Sequence, residues 1–480
     1  MKGQDLPNRP PRRRRARRRL TRAATTLLLG AAMLVPVGVS AVAASAAQDT
    51  AGDRRPVSGA DAVTAWNANA GKAAIAACIA PVDNPLHESR MYAMTHIAVH
   101  DALNAIDRRY EPYALTRRDR TGARPEAAVA AAARGALVAA LAQLTGPFAG
   151  ACSAAGIASV ERDYAAAVAA LPAGRRTTNG LALGAAAADA IVARRADDGS
   201  DTLLVDDGYA EGSAPGEWRF TPDRLFAFAP GWSEVSTFAL RDSSQYRPGP
   251  PYRLSSGHYA RDLAEVKALG GDGVTTPSTR TSDQTQIAYF WLESSPLLWN
   301  RVARTVSTSE HLDMWENARL FGLLNMALAD GYVASFDTKY RYDFWRPVTA
   351  IREAGADGNR STRPDPTWTP LVTTPPIPDY DSAHAVEGGA AAAVLRGFFG
   401  TDRVSFSTCS YLLPENGCDD PSPVLRRFRS FSQAADENAD SRVYIGFHFR
   451  DAVETGTGHG RSIGDATVRS VLEPVRRHHR

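Results

Sequence analysis

The chain has 480 residues, of which 44% are hydrophobic and 22% charged, and carries a formal net charge of +3. That is enough apolar material for a large core, and length alone allows one to three domains. No basic stripe of the kind that marks nucleic-acid binding runs along it, so a nucleic-acid partner is excluded.

The charge is unevenly spread. Residues 1–22 hold nine arginines and one lysine against the single Asp5, and an apolar run from Ala23 to Ala43 follows, broken by Pro36. Ala44-Ser45-Ala46 then offers small residues at a cleavage position. This is the pattern of a secretory signal peptide over 1–47, by the ordinary or the twin-arginine route, with an uncleaved anchor as the alternative. Of the 55 basic and 52 acidic residues, ten and one lie in that segment, which leaves a mature chain near −6. No later run is read as long enough to span a membrane. A secreted, extracellular protein, free of the membrane after cleavage, is therefore expected.

Residues 48–60 read as a flexible lead-in and 61–480 as one large helical domain. Asp61 to Ala80 is Ala-rich and helical. Arg90 to Ile106 is clearer, because Met91, Met94, Ile97, Ala98, Ala102, Ala105 and Ile106 recur at helical spacing. His96 and His100 lie four apart on it, beside Asp101. The glutamate of a zinc-protease helix is absent, so they are read as hydrogen-bonded bundle residues rather than as a metal pair. Pro125 to Leu144, Val160 to Leu171 and Thr178 to Arg195 are three more Ala-rich helices, with turns at Arg175 to Asn179 and Asp197 to Ser200.

Beyond Ser200 the composition changes. Pro215, Pro222, Pro230, Pro248, Pro250 and Pro251 break the chain, and Trp218, Phe220, Phe226, Phe228 and Trp232 appear. The segment is expected to wrap over the bundle as long ordered loops. Its aromatics either pack onto helices or line an entrance. Helices resume at Ser282 to Trp291, Leu298 to Ser307 and Glu310 to Tyr332, and no strand alternation of any length occurs. The fold class is all-α.

Four cysteines, Cys78, Cys152, Cys409 and Cys418, suggest pairing in an oxidising compartment. Cys409 and Cys418 flank a loop holding Pro414, Glu415, Asn416 and Gly417 and are paired; Cys78 with Cys152 follows by elimination. Four free buried thiols are the alternative, and the spacing does not suit zinc.

The chemistry concentrates in three short stretches. Lys339-Tyr340-Arg341-Tyr342-Asp343-Phe344-Trp345-Arg346-Pro347 sets a lysine and an arginine seven residues apart, about two helical turns, so the two cations can share one helix face until Pro347 stops it. Pro378-Asp379-Tyr380-Asp381-Ser382-Ala383-His384 and Ser441-Arg442-Val443-Tyr444-Ile445-Gly446-Phe447-His448 follow. Together they supply three cations, a serine hydroxyl, backbone N–H groups and two histidines. That inventory suits gripping a tetrahedral oxyanion and doing acid–base or nucleophilic work on it.

Lys-x6-Arg-Pro, Ser-x-His behind a Pro/Tyr-rich turn, and Ser-Arg-x5-His, in this order, resemble the three-part signature of the type 2 phosphatidic acid phosphatase and vanadium-dependent haloperoxidase superfamily, in its bacterial secreted branch. The resemblance implies two four-helix-bundle-like halves with long ordered loops and an oxyanion site within 339–448. It implies that Lys339, Arg346, Ser382, the N–H of Ala383 and Arg442 hold the anion, that His384 is the acid–base residue, and that His448 is the vanadium ligand or, in the phosphatase branch, the nucleophile. Lys339 would also polarise the bound oxidant. Glu293, in Phe290-Trp291-Leu292-Glu293, lies where haloperoxidases carry an acidic residue that orients the acid–base histidine. Two positions depart from the pattern: Asp381 replaces a proline, setting a negative charge near an anion site, and Ala383 replaces a glycine. Ile377 and Phe336 stand where fungal chloroperoxidases tend to have Phe and Trp, which leaves the halide open.

The implied function is a vanadate-dependent haloperoxidase that oxidises halide with hydrogen peroxide to hypohalous acid or a halogenated organic acceptor. Its partners would be those small molecules, with a homodimer left open. The alternative is a secreted acid phosphatase that hydrolyses phosphate monoesters through a phosphohistidine and needs no vanadate. A non-catalytic anion-binding homologue is the third reading, with Asp381 its main support.

Overall fold

The computed structural model describes residues 61–475. The expected signal peptide at 1–47 and lead-in at 48–60 lie outside the described residues. The first five helices are α1 (Ala62–Ala76), α2 (Pro85–Ile106), α3 (Pro125–Ala142), α4 (Ala151–Ala169) and α5 (Arg175–Arg194). Local chemistry sets their starts. The Asp61 carboxylate accepts from Thr64 N at 2.9 Å to open α1. Asn84 caps α2 with Pro85 in its first turn, so that helix begins before the Arg90 expected from periodicity. Arg175 to Asn179, expected as a turn, is the first turn of α5. The corner is made instead by Gly174 at φ 135°, which only glycine adopts freely.

One membrane expectation needs correcting. By length and composition α3 could cross a membrane, yet 61% of its apolar window is buried inside the protein, as befits a core helix against α2 and α5.

The chain then runs irregularly to α6 (Gly257–Leu269), which the sequence reading lacked. In the stretch between, Trp218 and Trp232 are buried packing residues, whereas Phe226 and Phe228 face a cavity, so both roles expected of its aromatics occur. The later helices are α7 (Ser282–Phe290), α8 (Ser295–Ser309), α9 (Met314–Tyr342), α10 (Pro347–Arg352), α11 (Ala383–Phe399), α12 (Phe431–Tyr444) and α13 (Arg450–Ser470). Strands among the described residues are limited to two antiparallel pairs of two or three residues, Val205–Asp206 with Ala227–Phe228 and Phe406–Thr408 with Arg426–Phe428.

α9 is the spine. Its 29 residues open on a capping box between Asp313 and Glu316, and it packs on α2 on one side and α11 on the other. The α1–α5 group thereby forms one helical half and α11–α13 the other. α11 and α13 meet almost backbone to backbone: a Cβ on Gly460 would fall 1.8 Å from Val386 O, and one on Gly389 2.3 Å from Thr457 O. Both expected disulfides are formed. Cys78–Cys152 ties the end of α1 to the start of α4, and Cys409–Cys418 closes its loop. His96 lies 2.8 Å from Asn67 Nδ2 and stacks on Phe321, while His100 Nδ1 lies 3.0 Å from Asp101, so this pair is structural, as read.

Candidate active site

Lys339 and Arg346 do not share a helix face, contrary to the expectation from their spacing. α9 ends at Tyr342 because Asp343 turns left-handed at φ 46°, and Arg346 is the N-cap of α10, with Pro347 at its first position. The corner folds the two cations together by a break rather than by helical repeat. Both are fully buried.

Lys339 donates its three Nζ hydrogens to the carbonyls of Pro378 (3.0 Å), Asp379 (3.0 Å) and Asp381. It therefore contributes charge to the site and rigidity to the Pro378–Asp381 turn. Burial, reinforced by Arg346, lowers it to about 7. Arg346 Nε donates to Ile377 O at 2.7 Å and Nη1 to Phe447 O at 3.0 Å. The same Nη1 lies 3.0 Å from His448 Nε2. It also lies 3.4 Å from His448 Nδ1; because a guanidinium only donates and its nearer contact is with Nε2, the tautomer that fits carries its proton on Nδ1 and its lone pair on Nε2. Nδ1 lies 2.9 Å from Asp379 Oδ1, although the approach is too bent for a good hydrogen bond. Burial, then the Arg346 charge, hold His448 well below the usual histidine range, so it is neutral with a lone pair at Nε2. Burial raises Asp379 to about 8, with Arg346 and Lys339 pulling the other way.

Arg442, on α12, donates Nη1 to Trp291 O at 3.2 Å and lies over the Phe447 ring, but its Nε is buried without a partner. Burial, then Arg346, lower Arg442 to about 9 and burial lowers Arg346 to about 10, so both stay charged at neutral pH. Ser382 is the N-cap of α11, yet its hydroxyl does not cap that helix and is buried without a partner. His384, one position beyond Ala383 in the first turn of α11, is held neutral by burial and then by Arg442, and its Nε2 is also unpartnered.

Lys339, Arg346, Ala383, His384, Arg442 and His448 line the floor of one cavity of about 510 Å³. Phe336 and Ile377 line it too and belong to one apolar cluster with Ala383. The floor has buried cations and an idle guanidinium N–H at a helix N-terminus, and the idle Ser382 hydroxyl is buried at the cap of that helix. Buried donors without acceptors are costly unless a ligand satisfies them, and this surplus of donors and positive charge fits an oxyanion such as vanadate or phosphate.

Two expectations are corrected. The Glu293 carboxylate does not reach His384: it pairs with Arg301 and accepts from Tyr411 N at 2.9 Å, and only its backbone assists the histidine. Asp381 does not set a bare negative charge on the anion site. Its carboxylate accepts from Ser335 Oγ at 2.8 Å and lies 2.7 Å from His459 Nδ1, and Asp381 does not line the cavity. Sequence reading gave no role to Asp379, His459 or Ser335. The signal for Asp379 was its place in the Asp-Tyr-Asp-Ser turn; the other two sit in helices with nothing nearby to mark them.

Residues 319–477 match the family described as the VCPO second helical-bundle domain. Vanadium chloroperoxidase of Curvularia inaequalis is 24% identical over 280 residues, covering 46% of this chain and 45% of its own, so the chain spans about half the length of that curated relative. The crystal structure of a bacterial vanadium-dependent iodoperoxidase superposes with a TM-score of 0.69 at 25% identity, covering 87% of this chain and 98% of that one. The holo form of a bacterial vanadium-dependent chloroperoxidase superposes with a TM-score of 0.63 at 17% identity, over 84% and 94% of the two chains. In its matched domain, its helical fold and its three-part anion site, the chain is similar to the vanadium-dependent haloperoxidases.

Proposed function

We propose that the protein is a vanadate-dependent haloperoxidase, acting on hydrogen peroxide and halide. The observation that carries this reading is His448: a neutral imidazole with its Nε2 lone pair set among Lys339, Arg346 and Arg442. Vanadate bound there would supply Lewis-acid activation of peroxide without a change of oxidation state. His448 Nε2 would hold the metal, the three cations would balance the oxyanion charge, and the Ser382 hydroxyl and Arg442 Nε would gain acceptors. His384, neutral with a free Nε2, is equipped to take a proton from an incoming oxygen acid and return it to a leaving one. The two disulfides support the further proposal that the protein is exported.

The test is bromination of a phenolic dye by orthovanadate-loaded protein with bromide and peroxide, run beside hydrolysis of p-nitrophenyl phosphate without vanadate. Vanadate-dependent bromination is expected, falling to background in His448→Ala. Phosphate-ester hydrolysis inhibited by vanadate, with no bromination, would overturn the reading in favour of a phosphatase.

A further inference from the structure

Halide and peroxide need little room, since each is of the order of one or two waters and a water takes roughly 30 Å³. The cavity above the cationic floor is about 510 Å³, within the rough range of 300–1,000 Å³ typical of pockets for organic ligands. Its walls carry Phe148, Phe226, Phe228 and Phe336. Away from the floor, its one lining cation is Arg224, which is exposed and forms no side-chain hydrogen bond or ion pair among the described residues. Asp83 also lies at the rim but makes no ion pair with it. The mouth is unusually apolar for a water-facing edge: Val82 and Val205 line it at 41% and 42% exposure, and Leu225, next to Arg224, is 73% exposed.

A site built only to oxidise halide for release would need neither aromatic walls nor, beyond its three buried cations, a fourth that is exposed. We propose that the cavity binds the organic acceptor itself, an electron-rich aromatic such as a phenol that carries a carboxylate. The ring lies among the phenylalanines, the carboxylate pairs with Arg224, and the reacting carbon points to the floor. This rests on the haloperoxidase reading and deepens it: halogenation takes place on a bound substrate. In the balanced step the peroxide O–O bond breaks and takes two electrons from the halide. A carbon–halogen bond replaces the aromatic C–H bond. The ring proton and one further proton from solvent go into the two waters released.

The probes are 4-hydroxyphenylacetate and its neutral counterpart p-cresol. Calorimetry on vanadate-loaded protein should show the carboxylate probe binding more tightly than p-cresol. Arg224→Ala should weaken the carboxylate probe about tenfold, as loss of one charge-assisted pair implies, and leave p-cresol unchanged. Arg224→Lys should restore part of the difference. Equal affinity for the two probes, or an Arg224→Ala variant that binds both as the parent does, would overturn the proposal. So would binding seen only in vanadate-free protein, because the carboxylate would then be sitting on Lys339, Arg346 and Arg442. Iodide oxidation by the parent protein, without any acceptor, is measured in parallel. Its absence beside Arg224-dependent binding would sink the haloperoxidase reading while supporting the aromatic carboxylate site.

Discussion

Asp381 shows how one side chain supports a site it does not touch. Its carboxylate bridges Ser335 on α9 and His459 on α13, and its carbonyl takes a hydrogen from Lys339. Asp381 and the His459 side chain are fully buried. The turn that holds Lys339 is therefore tied to two helices through one carboxylate. Truncation would leave Ser335 Oγ and His459 Nδ1 without partners in a dry setting. Asp381→Ala is expected to cost about 3 kcal/mol, because it leaves buried hydrogen-bond partners unsatisfied, read as a fall in the urea midpoint. Orthovanadate should bind more weakly to the folded variant, because the Pro378–Asp381 carbonyls that fix Lys339 lose their anchor. Asp381→Asn, which keeps an acceptor for Ser335, should fall between. If Asp381→Ala unfolds at the parental midpoint and binds vanadate as the parent does, the carboxylate has no anchoring role.

At the scale of elements, the site depends on how closely α11 approaches α13. His384 rides on the first turn of α11, and Gly456, Gly460 and Gly464 on α13 let the two backbones touch along its length. Gly460→Ala would push a methyl group into the Val386 carbonyl region, where no flexible side chain can yield. Overpacking of this kind costs roughly 1–3 kcal/mol. Because α11 must shift bodily, the variant should lose orthovanadate binding, and with it the proposed peroxidase activity, by more than its stability loss explains, checked by assaying well below its melting temperature. Gly458→Ala, at a position open to space on the same helix, should behave as the parent. The Ala-rich and apolar-patterned helices and the three anion-site stretches are legible in the sequence because both are local signals, whereas α6, α12 and α13 carry no such alanine-rich run. The sequence reading went wrong where geometry is set by a single backbone angle or by a distant partner. The left-handed Asp343 broke the helix expected to carry both Lys339 and Arg346. Arg301 took the Glu293 carboxylate away from His384, although the two lie only eight residues apart. The first outcome turns on one backbone angle and the second on which partner a carboxylate finds, and spacing encodes neither.

Across the whole molecule, buried acids make stability depend on pH. Glu88, on α2, is fully buried where that helix meets the Glu293–Ser294 corner, and neither carboxyl oxygen has a good hydrogen bond. Burial raises it to about 8, only partly eased by Ser294. In the unfolded chain it titrates near 4.5. Between those values the native state keeps a proton that the unfolded state has lost, so the contribution of Glu88 to stability is greatest below about 4.5, falls as pH rises towards 8, and levels off above it. A shift of that width corresponds to an effect on the order of a few kcal/mol. Glu88→Gln removes the titration while keeping the shape. Urea unfolding at pH 5 should find the variant and the parent close together, and at pH 8 the variant should be the more stable. Parallel pH profiles for the two proteins would show that Glu88 is ionised in the folded state and finds a charge partner there. A neutral carboxyl at Glu88 keeps a second negative charge from competing with Glu293 for Arg301, next to the loop whose backbone supports His384.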